Sequence, residues 1–172
     1  MSISMYRASV PGFLQTLNAL SMILDKVEAH CTLRKIDPAA LLQARLYPDM
    51  FPLVKQVQLA GDFAKNAVAR LSGVDLPRFQ DHEKTIPELK ERIVRTIDAI
   101  KLVTPAQVDG TEDKDVTFPV GGTPLTLKGE AYLINFAIPN FYFHATTAYD
   151  ILRHSGIELG KRDFLGRSEG RP

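Results

Sequence analysis

Asn140 and His144 stand four residues apart in GEAYLINFAIPNFYFHATTAYDILRHSG, the stretch from Gly129 to Gly156, whose apolar residues recur at helical spacing. On a 3.6-residue wheel Leu133, Ala137, Asn140, His144, Ala148 and Ile151 share one face, so an amide and an imidazole fall where a core belongs. Burying either without a partner costs about 1–3 kcal/mol, so each must meet a hydrogen-bond partner, a water or a ligand. The spacing places the two side chains within ~6 Å, the arrangement of helical metal ligands, although a neutral amide oxygen binds transition metals weakly. The alternative is a buried hydrogen-bonded pair. Pro139 frees the carbonyl of Asn135 and predicts a local distortion of the helix beside this pair.

The other chemistry-bearing residues read as structural. Cys31 lies in an apolar seam and behaves as a small core residue, because a buried thiol is inert without a nearby cation or base. His30 and His82 fall in or beside predicted breaks and are expected in solvent. His154 precedes Ser155-Gly156 in a last helical turn, where a cation favours the negative end of the helix dipole. Gly121-Gly122 lacks the spacing of a phosphate loop, and neither a Gly-x-Ser-x-Gly elbow nor a Cys-x-x-Cys pair occurs.

Four long helices must position the Asn140–His144 pair. Tyr6, Val10, Phe13, Leu17, Leu20, Leu24, Val27 and Cys31 step by threes and fours, which predicts a first helix from about Ile3, with Pro11 either kinking it or moving its regular start. Asp37-Pro38 opens a short connector, and Tyr47-Pro48-Asp49 reads as a turn. The second long helix starts at Pro52, carries Leu53, Val57, Gly61, Ala64, Val68 and Leu71 as its stripe, and stops at Gly73. Ala60, Gly61 and Ala64 allow close approach of another helix. Gln56 and Gln58 flank this stripe, so either is placed to face the bundle interior or solvent. Thr85-Ile86-Pro87-Glu88 matches a capping box, followed by Leu89, Ile93, Ile97 and Ile100, with Lys90, Glu91, Arg92 and Arg95 on a face expected in solvent. Val116, Phe118 and Val120 alternate outward from Gly121-Gly122, with Leu125 and Leu127 opposite, which predicts a two-residue hairpin, and Pro119 and Pro124 confine it to a small edge ribbon. Phe164 and Leu165 are expected to pin the tail after the fourth helix. Helix lengths of ~20 residues with a hairpin before the last predict an all-α fold, an antiparallel four-helix bundle forming one domain over 1–172.

The 172 residues suffice for one core that buries about 70% of the unfolded surface. With 21 Lys+Arg against 20 Asp+Glu and no long run of one sign, there is no basic face for nucleic acid. Ala131 to Ala145 is broken by polar residues and falls short of the ~20 residues of a membrane span. One cysteine and no signal-like N-terminal run are expected of a cytoplasmic protein.

YPDMFPLVKQVQLAGDFAKNAVARLSG and NFYFHATTAYDILRHSGIELGKRDFLG, with the hairpin between the third and fourth long helices, resemble an uncharacterised bacterial domain family of the DinB/YfiT-like superfamily. The resemblance covers nearly the whole chain. It implies a DinB-like four-helix bundle, often dimeric, and in metal-binding members a His from the second helix joins an H-x-x-x-H pair on the fourth around Ni or Zn. Several relatives are thiol-dependent transferases or isomerases. Carried over, the fourth-helix pair falls on Asn140 and His144, and the second-helix ligand falls between Gln56 and Asp62, best on Gln58. One imidazole stands where three would be, so the resemblance implies at most weakly bound Ni or Zn at His144, with Gln58 and Asp62 as oxygen donors.

Three functions follow as expectations: a small-molecule pocket lined by Gln58, Asp62, Asn140 and His144; a metal- or thiol-dependent transferase or isomerase in which His144 binds the ion or acts as general base; and a dimeric scaffold whose polar pair is a satisfied network. A homodimer is expected because the apolar content is 45% and Met22, Ile23, Tyr132, Phe136 and Phe143 lie on more than one helix face.

Overall fold

The computed structural model describes residues 3–166. It is mostly helical, with one two-stranded antiparallel sheet. The first helix, α1 (Met5–Arg34), starts where the Ser4 hydroxyl accepts from the Arg7 N–H and ends at Lys35 in the left-handed conformation. Pro11 neither delays nor breaks it: Pro11 and Arg7, whose carbonyl loses its donor, are both exposed, so water can satisfy that carbonyl. His30 consequently lies inside α1, half-buried, rather than in a break. Asp37 caps the short α2 (Pro38–Leu42) by accepting from the Ala39 N–H.

The helix α3 (Leu53–Ser72) starts after Pro52 and stops at Gly73, whose φ of 76° only glycine adopts without strain. At Gly61 an added Cβ would come within 3.3 Å of the Thr96 hydroxyl, so the glycine is what lets the next long helix approach. That helix, α4 (Ile86–Lys101), opens on the reciprocal Thr85–Glu88 capping box, and the short α5 (Pro105–Val108) follows.

Strands β1 (Asp115–Val120) and β2 (Thr123–Lys128) pair from Asp115 opposite Lys128 to Val120 opposite Thr123, around Gly121-Gly122 with both φ positive. Val116 and Phe118 face inward, whereas Val120, expected with them, is 43% exposed at the turn end. The chain then forms α6 (Gly129–Tyr132), a π-helical turn over Leu133–Ala137, α7 (Ile138–His154) and α8 (Lys161–Leu165).

α3 packs against both α4 and α7, and α1 closes the other side against the same two helices. Between them lie Phe13, Leu17, Leu20, Leu24, Leu71 and Phe141, all essentially removed from water. Phe164 anchors α8 edge-on to Tyr149 at 5.7 Å, while Leu165 is 48% exposed and holds the tail through its carbonyl, which accepts from Gln15. No helix of the described residues is long and apolar enough to cross a membrane.

Candidate functional site

The distortion that Pro139 predicts lies one turn upstream of it. Over Leu133–Ala137 the ladder widens, with the Ile138 N–H reaching the Leu133 carbonyl five residues back. The inserted residue rotates everything downstream, so the buried stripe continues as Ala137, Phe141, His144, Ala145 and Ala148. Phe141 therefore takes the core position that an undistorted wheel assigns to Asn140. Asn140 is half-buried and donates its amide N–H to the Phe136 carbonyl of its own helix at 2.7 Å.

His144 is 8% exposed and meets α3 through Gln56, not Gln58. Its Nδ1 lies 2.7 Å from Gln56 Oε1, and Gln56 Nε2 donates to the Phe51 carbonyl at 3.1 Å. That second bond orients the carboxamide, so its oxygen must accept and His144 Nδ1 must carry the proton. The lone pair then resides on Nε2, which has no hydrogen-bond partner among the described residues and is not sealed from solvent. The ring stacks on Phe63 at 5.4 Å with 16° between planes, and Phe143 meets it edge-on at 5.2 Å. Burial, helped by the nearby Lys55 ammonium, pushes the imidazole pKa down to about 4, so the ring is neutral at pH 7.

Gln58 and Asp62 belong to a different constellation. Arg92, expected in solvent, is 2% exposed: on the shoulder of the α4 stripe it is covered by the segment between α3 and α4. Its Nη1 donates to the Gln80 carbonyl at 3.0 Å and to Glu83 at 3.1 Å, and its Nη2 to both Asp62 oxygens at 3.2 Å, with Asp81 in an ion pair to Nη2 at 3.0 Å. Gln58 donates to Glu83 at 2.7 Å, and Lys55 pairs with Asp81. Burial alone would raise the Glu83 pKa, but the hydrogen bonds from Gln58, its own backbone and Arg92 outweigh it and hold the carboxyl below its ordinary value. At Asp62 burial wins over Arg92 and Lys65, and the carboxyl is raised. The position of Arg92, three residues after Leu89 and four before the buried Thr96, was the one legible sign that it sits inward.

A nickel or zinc ion, as the resemblance implies, needs three or four N, S or carboxylate donors. Among the described residues no three or more His, Cys, Asp or Glu side chains are grouped to hold one. His144 offers Nε2 alone, Gln56 Oε1 is taken by His144 Nδ1–H, and the Gln58 and Asn140 side chains, whose nitrogens donate to Glu83 and Phe136, could add only neutral amide oxygens, which bind transition metals weakly. The residues present do not fit the ion. The remaining candidates are structural in position: Cys31 is buried, His82 is exposed, and His154 is exposed at the last residue of α7.

The site is thus a lone, amide-oriented imidazole enclosed by helices, with a short hairpin against them. The chain is similar to a protein of known crystal structure from Shewanella denitrificans described as a DinB family member, with a TM-score of 0.85 and 38% identity over 97% of this chain and 94% of that one. Residues 5–165 match the family described as Domain of unknown function (DUF1993), and the chain belongs to that family. No curated protein matches it.

Proposed function

We propose that this protein is a DinB-like antiparallel four-helix bundle that binds a small molecule at His144, with the metal site of the superfamily degenerate. The observation that carries this reading is the Phe51–Gln56–His144 relay, which presents Nε2 as an acceptor between Phe63 and Phe143. An apolar, aromatic lining with one oriented polar atom is how proteins hold small organic ligands. A ligand donor facing Nε2, on a flat ring that packs against the two aromatic side chains, satisfies the site. A pKa of about 4 suits an acceptor better than a general base, whose best value lies near the working pH. This favours binding over the transferase reading.

The bundle is proposed to act as a homodimer. Of the residues on which that expectation rests, Ile23 and Tyr132 are core, while Met22 at 43% and Phe143 at 56% are exposed, joined by Ile134 and Tyr142. The lone, buried Cys31 supports a cytoplasmic setting.

The test is a melting screen with heteroaromatic fragments carrying an N–H donor, repeated on His144→Phe. Fragments that raise the melting temperature of the natural protein and not of the variant are expected. Hits indifferent to His144→Phe would overturn the reading.

A further inference from the structure

A cleft of about 490 Å³ opens between α3 and the segment that follows it, lined by Lys65, Asn66, Arg70, Arg78, Phe79 and Pro119. Lys65 projects from the side of α3 away from Gln56, so this is a different place from the His144 site. Its volume falls in the range of small-molecule sites, ~300–1,000 Å³. Three cations line it, and among the described residues none of them has a carboxylate within ion-pair distance.

Lys65 is the least expected of the three. It is only 3% exposed, yet its ammonium makes one hydrogen bond, 2.7 Å to the Pro77 carbonyl, and lies 4.8 Å from the Phe79 ring centre, so two of three donors have no oxygen acceptor. A buried charge without a counter-ion is costly. Asp62 also lines the cleft but is held by Arg92 through both oxygens. Burial lowers the Lys65 pKa, Asp62 opposes this, and Arg92 and Arg78 push further down, so like charges crowd the ammonium. Arg70 is fixed in place: its Nη1 donates to the Tyr132 hydroxyl at 3.0 Å, and its guanidinium lies 5.1 Å from the Phe118 ring centre. Arg78 is exposed at the cleft and completes the set.

We propose that this cleft binds a small organic phosphate, with the phosphate among Lys65, Arg70 and Arg78 and the organic part along Asn66, Phe79 and Asp75. A phosphomonoester brings close to two charges and three acceptor oxygens, which matches an ammonium with spare donors and two guanidinium forks. The exposed Asp75 carboxylate on the same wall accepts from a ligand hydroxyl and disfavours a polyanion.

Isothermal titration of the full chain with ribose 5-phosphate, inorganic phosphate and ribose tests this. Ribose 5-phosphate is expected to bind, inorganic phosphate at least about tenfold more weakly, and ribose not measurably. Arg78→Ala, at an exposed side chain, should weaken ribose 5-phosphate binding by about tenfold or more while leaving the unliganded melting temperature unchanged. Lys65→Met should weaken it similarly, and His144→Phe should leave it intact. Equal affinity for inorganic phosphate would overturn the organic ligand. Absence of heat with all three probes, or binding that both Arg78→Ala and Lys65→Met leave unchanged, would overturn the site.

Discussion

His144 on α7 and Gln56 on α3, 88 positions apart in sequence, share a 2.7 Å hydrogen bond whose polarity is set by a third group, the Phe51 carbonyl. Because the Gln56 amide nitrogen is spent on that carbonyl, only its oxygen is left for the imidazole, and the His144 lone pair is turned away from the core.

Removing Gln56 should therefore cost more than removing Gln58. Gln56→Ala strands both the His144 Nδ1–H and the Phe51 carbonyl, and a loss of about 1–3 kcal/mol is expected. Gln58→Ala leaves Glu83 still bonded to Arg92 and should cost less. Denaturant midpoints at constant slope measure both, and a larger loss for Gln58→Ala would refute the ordering.

The depressed His144 pKa fixes the sign of a pH dependence. Between the ordinary 6.5 and about 4 the unfolded chain binds a proton that the folded chain refuses, so stability falls on acidification by up to about 1.4 kcal/mol per pH unit. The lowered carboxyls of Glu83 and Asp81 contribute stability that is lost only further down, as pH falls below their ordinary 4.5 and 3.8. The raised Asp62 carboxyl has the opposite sign, adding stability as pH falls from its raised value to the ordinary 3.8, and His144→Phe shares this contribution. Urea melts of the natural protein and His144→Phe should thus diverge in slope between pH 4 and 6.5; parallel curves would place the imidazole outside the core.

Arg92 compensates three carboxylates, one of which, Glu83, has a side chain only 5% exposed. Arg92→Ala should destabilise the fold by about 3–5 kcal/mol at neutral pH, because it leaves Glu83 buried without its cation. The loss should shrink in acid as Glu83 takes up a proton. Unfolding at pH 7 and at low pH decides it, and equal losses at both would mean that the packing of the long side chain, not its charge, is what matters.

Added zinc or nickel is expected to shift the melting temperature little. A true site at about 1,000 times its dissociation constant would stabilise the fold by ~4 kcal/mol, and one open imidazole nitrogen does not supply such affinity. Stoichiometric metal in purified protein, lost on His144→Ala, would reverse this conclusion.

Sedimentation at micromolar concentration should show a dimer, and Phe143→Asp, at an exposed position on α7, should shift it toward monomer. A strictly monomeric natural protein would remove the dimer.

The long helices, their caps at Thr85 and Gly73 and the Gly121-Gly122 turn follow from local rules, because an apolar stripe, a capping box and a positive-φ turn are each written within a few consecutive residues. Gly61 was legible as a point of close approach for the same reason. His144 was legible as a buried polar group, since a stripe interrupted by an imidazole needs no partner to be noticed. Which group it meets was not. Gln56 and Gln58 flank one stripe symmetrically, and the choice depends on a π-helical turn that rotates α7 and on where the Phe51 carbonyl happens to lie. Arg92 shows the limit most plainly: on its own helix it stands among charged residues, and only the segment carrying Gln80, Asp81 and Glu83, folded over α3 and α4, turns that exposed face into an interior. Helix periodicity reports which side of one element is apolar, whereas burial of a polar side chain is decided by what the rest of the chain lays across it.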